Sequence, residues 1–155
     1  MDQNDIERFV EAQNKSYEGY ATALAELRAG QKQSHWIWYI FPQKRPDDPT
    51  KGSQYTQYYG ISDDAEALRY LYHPVLGPRL AEITAVVHTQ LFDKGVHPEV
   101  LMMWDVDVKK LRSCMKLFIR VSADADTSAL AWLATFMTHA SAIFHLIDKP
   151  AYRHR

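Results

Sequence analysis

Apolar side chains recur three and four positions apart along most of this chain, and no run alternates in the two-residue rhythm of a strand ladder. A helix patterned this way carries one apolar stripe and buries it against other helices. The expectation is an all-α fold, a compact multi-helical bundle in which residues 1–155 make a single domain. The longest stripe runs through Ile6, Phe9, Val10, Tyr17, Ala21, Leu24 and Leu27. Asn4 and Glu7 have capping-box spacing ahead of it and Gly30 is a stop signal behind it, which predicts one helix over 5–29. Asp63 and Glu66 repeat the capping spacing before Leu68, Leu71 and Tyr72, a short helix ending at His73-Pro74. Leu80, Ile83, Val87 and Leu91 predict a helix over 77–93, with Pro78 tolerated in its first turn. Pro98 starts one further turn through Met103. Asp107 is the expected cap of a helix over 108–122. Asp126 or Thr127 is the expected cap of the last one, to about 146, with Leu130, Leu133, Met137, Ala140 and Phe144 as its buried stripe. Pro46, Pro49 and Gly52 mark one long loop over about 43–60, a lid or simply mobile. The polar tail, 148–155, is expected to fray.

The 155 residues, 46% of them hydrophobic, suffice for a core without metals or disulfides. A net charge of −1 supplies no global field toward nucleic acid or an anionic membrane. The polar N-terminus lacks the pattern of a signal peptide, and no stretch reaches the ~18 apolar residues of a membrane span. The one cysteine, Cys114, excludes an intrachain disulfide and suits a reducing compartment. These features predict a cytoplasmic protein with no membrane association.

The run Ser34-His35-Trp36-Ile37-Trp38-Tyr39-Ile40-Phe41-Pro42-Gln43 holds two of the four tryptophans. Ser34 as a cap favours a short helix over 35–41. Tryptophan and tyrosine join a large apolar face to a polar handle, so they suit a pocket as well as a core. Ile37, Ile40 and Phe41 read as core anchors; Ser34, His35, Trp36, Trp38 and Gln43 read as site candidates. Over 108–122, Val108, Leu111, Met115 and Phe118 share one helical arc. Lys109, Arg112, Lys116 and Arg120 share another, roughly 80° wide. Like charges so placed repel by roughly a few tenths of a kcal/mol per pair. The stripe therefore wants acidic neighbours, an anionic ligand or water, and a solvated face is its plainest meaning. Cys114, Leu117 and Val121 widen the apolar arc, which brings Arg112 or Lys116 within reach of a shared polar cavity.

Other chemistries lack their signatures. No glycine-rich loop precedes a helix, so there is no phosphate-cradling or dinucleotide fingerprint. The histidines show no recognisable metal spacing, and no metal site is expected. Cys114 on an apolar arc reads as an inert small hydrophobe. Asp63, Asp64 and Glu66 read as helix N-terminal residues favoured by the dipole.

Four stretches taken together, DIERFVEAQ, SHWIWYIFPQ, YYGISDDAEALRYLYHPVLGPRL and KKLRSCMKLF, resemble the DUF1810 family over roughly residues 5–120. The resemblance implies a compact multi-helical domain and brings no settled activity. Among the polar residues its motifs select, His35, Gln43, Arg112 and Ser113 are the leading site candidates.

The candidate ligand-binding set is Lys32, Ser34, His35, Trp36, Trp38, Gln43, Tyr59, Arg112, Ser113 and Lys116. Aromatic faces stack a base, and Arg with Lys meets phosphate. The favoured function is therefore binding of an anionic or aromatic small molecule, nucleotide or ADP-ribose-like. Catalysis is left open, with His35 the best acid–base candidate because an unperturbed histidine titrates near ~6.5. No cofactor is identified. The alternative is a protein–protein interaction or regulatory module anchored by Trp36, Trp38 and the tyrosines of 55–59. Single-stranded nucleic acid fits the net charge least well. The small-molecule reading makes one geometric demand: His35, Gln43 and Arg112 should border one cavity.

Overall fold

The computed structural model describes residues 5–153. Among them the fold is all-α, without strands beyond an isolated parallel bridge between Lys44 and Ile61. The helices are α1 (Glu7–Gln13), α2 (Tyr20–Arg28), α3 (Ile37–Ile40), α4 (Gln54–Tyr59), α5 (Asp64–Tyr72), α6 (Leu76–His88), α7 (Pro98–Leu101), α8 (Asp105–Ser122) and α9 (Leu133–Ile147). A π-helical turn, Thr89–Asp93, extends α6. The long helix α8 packs against α9, α5, α3 and α7, with Leu111, Cys114, Met115 and Phe118 buried. Ile37, Ile40 and Phe41 are core anchors, each 2% exposed or less.

The helix expected over 5–29 is two helices. Asn4, its expected cap, lies outside the described residues; Asp5 Oδ1 accepts the Glu7 amide at 2.9 Å instead. The chain turns between Gln13 and Tyr20, where Glu18 adopts φ of +54°. Asn14, Ser16 and Gly19 are poor helix formers. Tyr17, which appeared to continue the stripe, is 72% exposed. The break lets α1 pack on α3 while α2 packs on α6. Gly30 does end α2. At φ of +94° it closes a Schellman turn, in which Gln31 N–H reaches the Glu26 carbonyl at 3.2 Å and Gly30 N–H the Leu27 carbonyl at 3.1 Å.

Other boundaries also shift. The expected 43–60 loop ends in α4, capped by Ser53 Oγ, which accepts the Thr56 amide at 3.2 Å. Asp63 caps α5 as its spacing predicts, accepting the Glu66 amide at 2.8 Å. Asp107 does not cap α8. Trp104 holds the N-cap position, and Asp107 is buried against Lys32. In α9 the buried line is Leu133, Phe136, Ala140, Ile143 and Ile147, while Leu130 precedes the helix. The tail is held through residue 153: Pro150–Tyr152 forms a 3-10 turn with Tyr152 buried, and Arg153 Nε meets Asp148 Oδ1 at 3.0 Å. Residues 154–155 lie outside the described residues.

The interior also holds a charged pair. Arg8 and Glu66 side chains have no exposed surface. The guanidinium donates to both Glu66 oxygens at 2.9 and 3.1 Å and to the carbonyls of Asp5, Gly60 and Tyr58, each at 2.8 Å. That occupies all five of its N–H donors. Glu66 also accepts the Ser62 amide at 2.9 Å. Removing one partner of such a pair strands the other charge in a dry site, at a cost of about 3–5 kcal/mol. Arg8→Ala is expected to lower the unfolding free energy in urea by that amount; a loss under ~1 kcal/mol would show that the pair does not bind α1 to α5.

Candidate functional site

A cleft of about 660 Å³ opens between α8 and the segment 43–56. Its first wall depends on a close approach of backbones. Ile61 N–H donates to the Gln43 carbonyl at 2.9 Å, and Arg45 N–H to the Ile61 carbonyl at 2.7 Å. Gly60 permits this pairing, because a Cβ there would sit 2.6 Å from Arg45 Cα. The pairing carries Gln43 and Lys44 along the cleft edge. Lys51, Gly52 and Thr56 complete that wall. Lys110, Arg112, Ser113, Lys116, Leu117 and Arg120 from α8 form the opposite wall, with Arg153 at the rim.

Seven of the thirteen lining residues are cationic and none is acidic. Carboxylates outside the lining hold the arginines in place. Arg112 Nε and Arg153 Nε share Asp148 Oδ1 at 2.9 and 3.0 Å. Their hydrogen bonds, that of Arg153 first, hold the Asp148 carboxyl below its usual range. Arg120 pairs with Asp64 at 2.6 Å. Lys44 meets the exposed Asp47 at 3.2 Å. Among the described residues Lys51 and Lys116 make no ion pair. Lys110 lies over the Trp38 ring, its ammonium 4.9 Å from the centroid.

An aromatic cluster adjoins the cleft. Trp38 and Tyr55 rings approach to 4.9 Å, and Tyr55 stacks toward Tyr59 at 6.3 Å. Trp38, Tyr59, Gln43 and Lys110 line a small hollow beside the cleft. Trp38 Nε1 is buried there without a hydrogen-bond partner among the described residues. Beyond Gly52, Tyr55, Tyr58 and Tyr59 line a shallower groove of about 610 Å³.

The structure therefore gathers Gln43, Arg112, Ser113 and Lys116 in one cleft and places Trp38 and Tyr59 beside it. Of the three residues expected to border one cavity, Gln43 and Arg112 do and His35 does not. His35 is exposed and stacks on Trp104, ring centroids 5.6 Å apart. Lys32 is 1% exposed, with Nζ 3.0 Å from Asp107 Oδ2 and faced by the Trp36 and Trp104 rings at 5.0 and 4.8 Å. Ser34 and Trp36 turn toward a residue the sequence did not single out, Glu26. Its carboxylate accepts the Gln33 and Ser34 amides at 2.7 and 3.0 Å, the Trp36 indole N–H at 2.9 Å, and the Ser34 hydroxyl. Lys44, Lys51, Lys110 and Arg153 were likewise missed as cleft residues; the first two sit in a segment that reads as a solvated loop. Among the described residues no group of three or more His, Cys, Asp and Glu side chains could hold a metal, and no helix is long and apolar enough to cross a membrane.

A family model described as a protein of unknown function, DUF1810, matches residues 3–142. The match runs well into α9, past the point near residue 120 where the resemblance was read to end. The crystal structure of the conserved hypothetical protein Rv1873 from Mycobacterium tuberculosis is similar to this chain. The two are 37% identical over 96% of this chain and 99% of that one, with a TM-score of 0.67. No curated protein matches the chain.

Glu26 makes a pH-dependent claim. Burial raises its pKa, but the hydrogen bonds from Ser34, Gln33 and Trp36 outweigh burial and hold it below the ordinary glutamate value of 4.5. With the folded value depressed, Glu26 stabilises the fold fully above the unfolded pKa. That contribution is lost as pH falls through the folded pKa. Glu26→Gln is expected to cost about 1.5–3 kcal/mol at neutral pH. It should also flatten the acid limb of a stability-versus-pH curve from urea denaturation. An acid limb unchanged by the substitution would remove Glu26 as the organiser of the 33–36 turn.

Proposed function

The chain belongs to the DUF1810 family, and from that premise we propose that it binds a phosphate-bearing small molecule of nucleotide or ADP-ribose type in the cleft between α8 and residues 43–56. The observation that carries this reading is the gathering of seven cationic side chains around one cleft in a chain whose net charge is −1. Like charges brought together in a concave site focus a positive potential and favour a multiply charged anion. The near-neutral chain confines that field to the cleft, since screening limits its reach to about 8–10 Å at physiological salt. A compact phosphorylated ligand suits such a site better than an extended nucleic acid.

The aromatic side favours a nucleotide over a bare anion. Tyr55 is half-exposed and stands just across Gly52 from the cations. A base stacked on that ring, with its phosphates over Gly52 toward Lys51 and Lys116, would use both surfaces. The interaction-module reading is less well supported, because Trp36, one of its anchors, has no exposed surface. Catalysis through His35 finds no support, because His35 does not line the cleft. A cytoplasmic setting fits a single cysteine that is buried and unpaired with any other.

A thermal-shift panel of inorganic pyrophosphate, ATP and ADP-ribose at low ionic strength tests the proposal. At 100 times its dissociation constant a bound ligand stabilises the native state by about 2.7 kcal/mol. The nucleotides are expected to raise the melting temperature and added salt to weaken the effect. Lys51→Glu combined with Lys116→Glu removes two cations that lack ion pairs and is expected to cut affinity by roughly tenfold or more, at about 1 kcal/mol per charge contact. A flat response across the panel, or affinity untouched by the double substitution, overturns the reading.

A further inference from the structure

One lysine in the cleft differs from the others. Lys110 is only 16% exposed at its side chain, whereas Lys44, Lys51 and Lys116 are exposed. It lines both the main cleft and the small aromatic hollow, so its ammonium lies at the junction of the two. The Trp38 ring covers one side of it at 4.9 Å. Its nearest carboxylate oxygen, Asp107 Oδ1, is 4.0 Å away, while Asp107 Oδ2 is held 3.0 Å from Lys32 Nζ. Among the described residues Nζ makes no hydrogen bond. Arg112 and Lys116 face the same cleft from its own helix, and Lys44 and Lys51 face it from the opposite wall. A lysine that is desolvated, loosely paired and set in a cleft that also holds other cations gives up its proton more readily than an exposed one, which makes it a nucleophile.

We propose that Lys110 is a reactive amine that captures an aldehyde or ketone bearing a phosphate group, forming an imine within the cleft. This rests on the phosphate-binding reading above and adds a covalent chemistry to it. The neutral amine attacks the carbonyl carbon, and the carbonyl π pair moves to oxygen. Proton transfer from nitrogen to oxygen gives a carbinolamine. Loss of one water then forms the C=N bond, and the proton first released by the ammonium returns to the imine nitrogen, so charge is conserved. The cleft cations dock the phosphate, and Lys32, outside the lining, disfavours a charge on Nζ. Burial acts in the same direction, holding Lys110 below the usual lysine range, with Lys32 adding to the effect and Asp107 opposing it.

Pyridoxal 5′-phosphate joins an aldehyde to a phosphate and is the probe. The full chain is incubated with it near neutral pH, reduced with borohydride, digested, and mapped for modified lysines by mass spectrometry. Lys110 is expected to carry the adduct at least about tenfold more often than Lys44, Lys51 or Lys116, which act as internal controls. Pyridoxal without the phosphate should label Lys110 about tenfold less at equal concentration, and excess pyrophosphate should suppress the adduct. Labelling spread evenly over the lysines, or absent from Lys110, overturns the inference; if pyrophosphate still raises the melting temperature, the cleft reading survives that failure. An adduct on Lys110 that neither the phosphate group nor pyrophosphate affects overturns the assigned ligand class and, with it, the cleft reading.

Discussion

The buried pair of Arg8 and Glu66 is the constraint from which the rest of the molecule follows. A guanidinium with no exposed surface is tolerable only if its donors all find acceptors, because a charge left unpaired in a dry interior costs several kcal/mol. Arg8 meets this by reaching beyond Glu66 to the carbonyls of Tyr58 and Gly60. Those bonds fix the end of α4 and the start of the following turn. Ile61, next in the chain, pairs with Gln43 and Arg45. The wall of the cleft that looks most like loose loop in the sequence is thereby tied, through four hydrogen bonds, to the interior. A well-packed apolar pair of equal volume would supply comparable stability. What the ion pair supplies besides is direction, since five donors dictate where one carboxylate and three carbonyls must lie.

The opposite wall has its own anchor of the same kind. Lys32 and Asp107 are both buried and meet at 3.0 Å, and the ammonium is enclosed by Trp36 and Trp104. This pair joins the segment after α2 to the first turn of α8 and so sets where the cationic face of α8 begins. The Schellman turn at Gly30 reverses the chain directly after Glu26, so that residues 33–36 fold back over that carboxylate. Three buried or half-buried carboxylates, Glu26, Glu66 and Asp107, thus organise segments that have no long helix of their own.

This also explains what could and could not be read beforehand. Local physics was legible: the Asp63 cap, the Gly30 stop, the core anchors at 37, 40 and 41, and the two arcs of α8 each follow from neighbours a few residues away. Long-range pairing was not. Asp107 carried the ordinary signature of a cap, and nothing near it points to Lys32, 75 positions earlier. Trp36 needs an acceptor, and its partner, Glu26, sits ten positions earlier on α2. The continuous stripe from Ile6 to Leu27 hid a break because spacing alone cannot tell that Tyr17 faces water. His35 was adjacent to the right residues in sequence, yet at a helix start successive side chains diverge, and it turned outward to Trp104. The stripe of cations on α8 was visible as a stripe; whether it faced water or a wall depended on Lys44 and Lys51, whose segment gives no local sign of where it folds back.

The division of labour among the cations bears on the ligand class proposed for the cleft. Arg112, Arg120 and Arg153 are committed to Asp148 and Asp64, so their positions are set before any ligand arrives. Planar and each paired with a carboxylate, they are preorganised surfaces with part of their charge already answered. The lysines are the converse: Lys51 and Lys116 are exposed point charges on flexible stems, able to follow a phosphate group as it settles. A site of fixed arginines alone would select one rigid anion, and one of free lysines alone would hold any. The combination suits the proposed ligand, which has one part of defined shape and another of mobile charge, as in a sugar or base carrying phosphates.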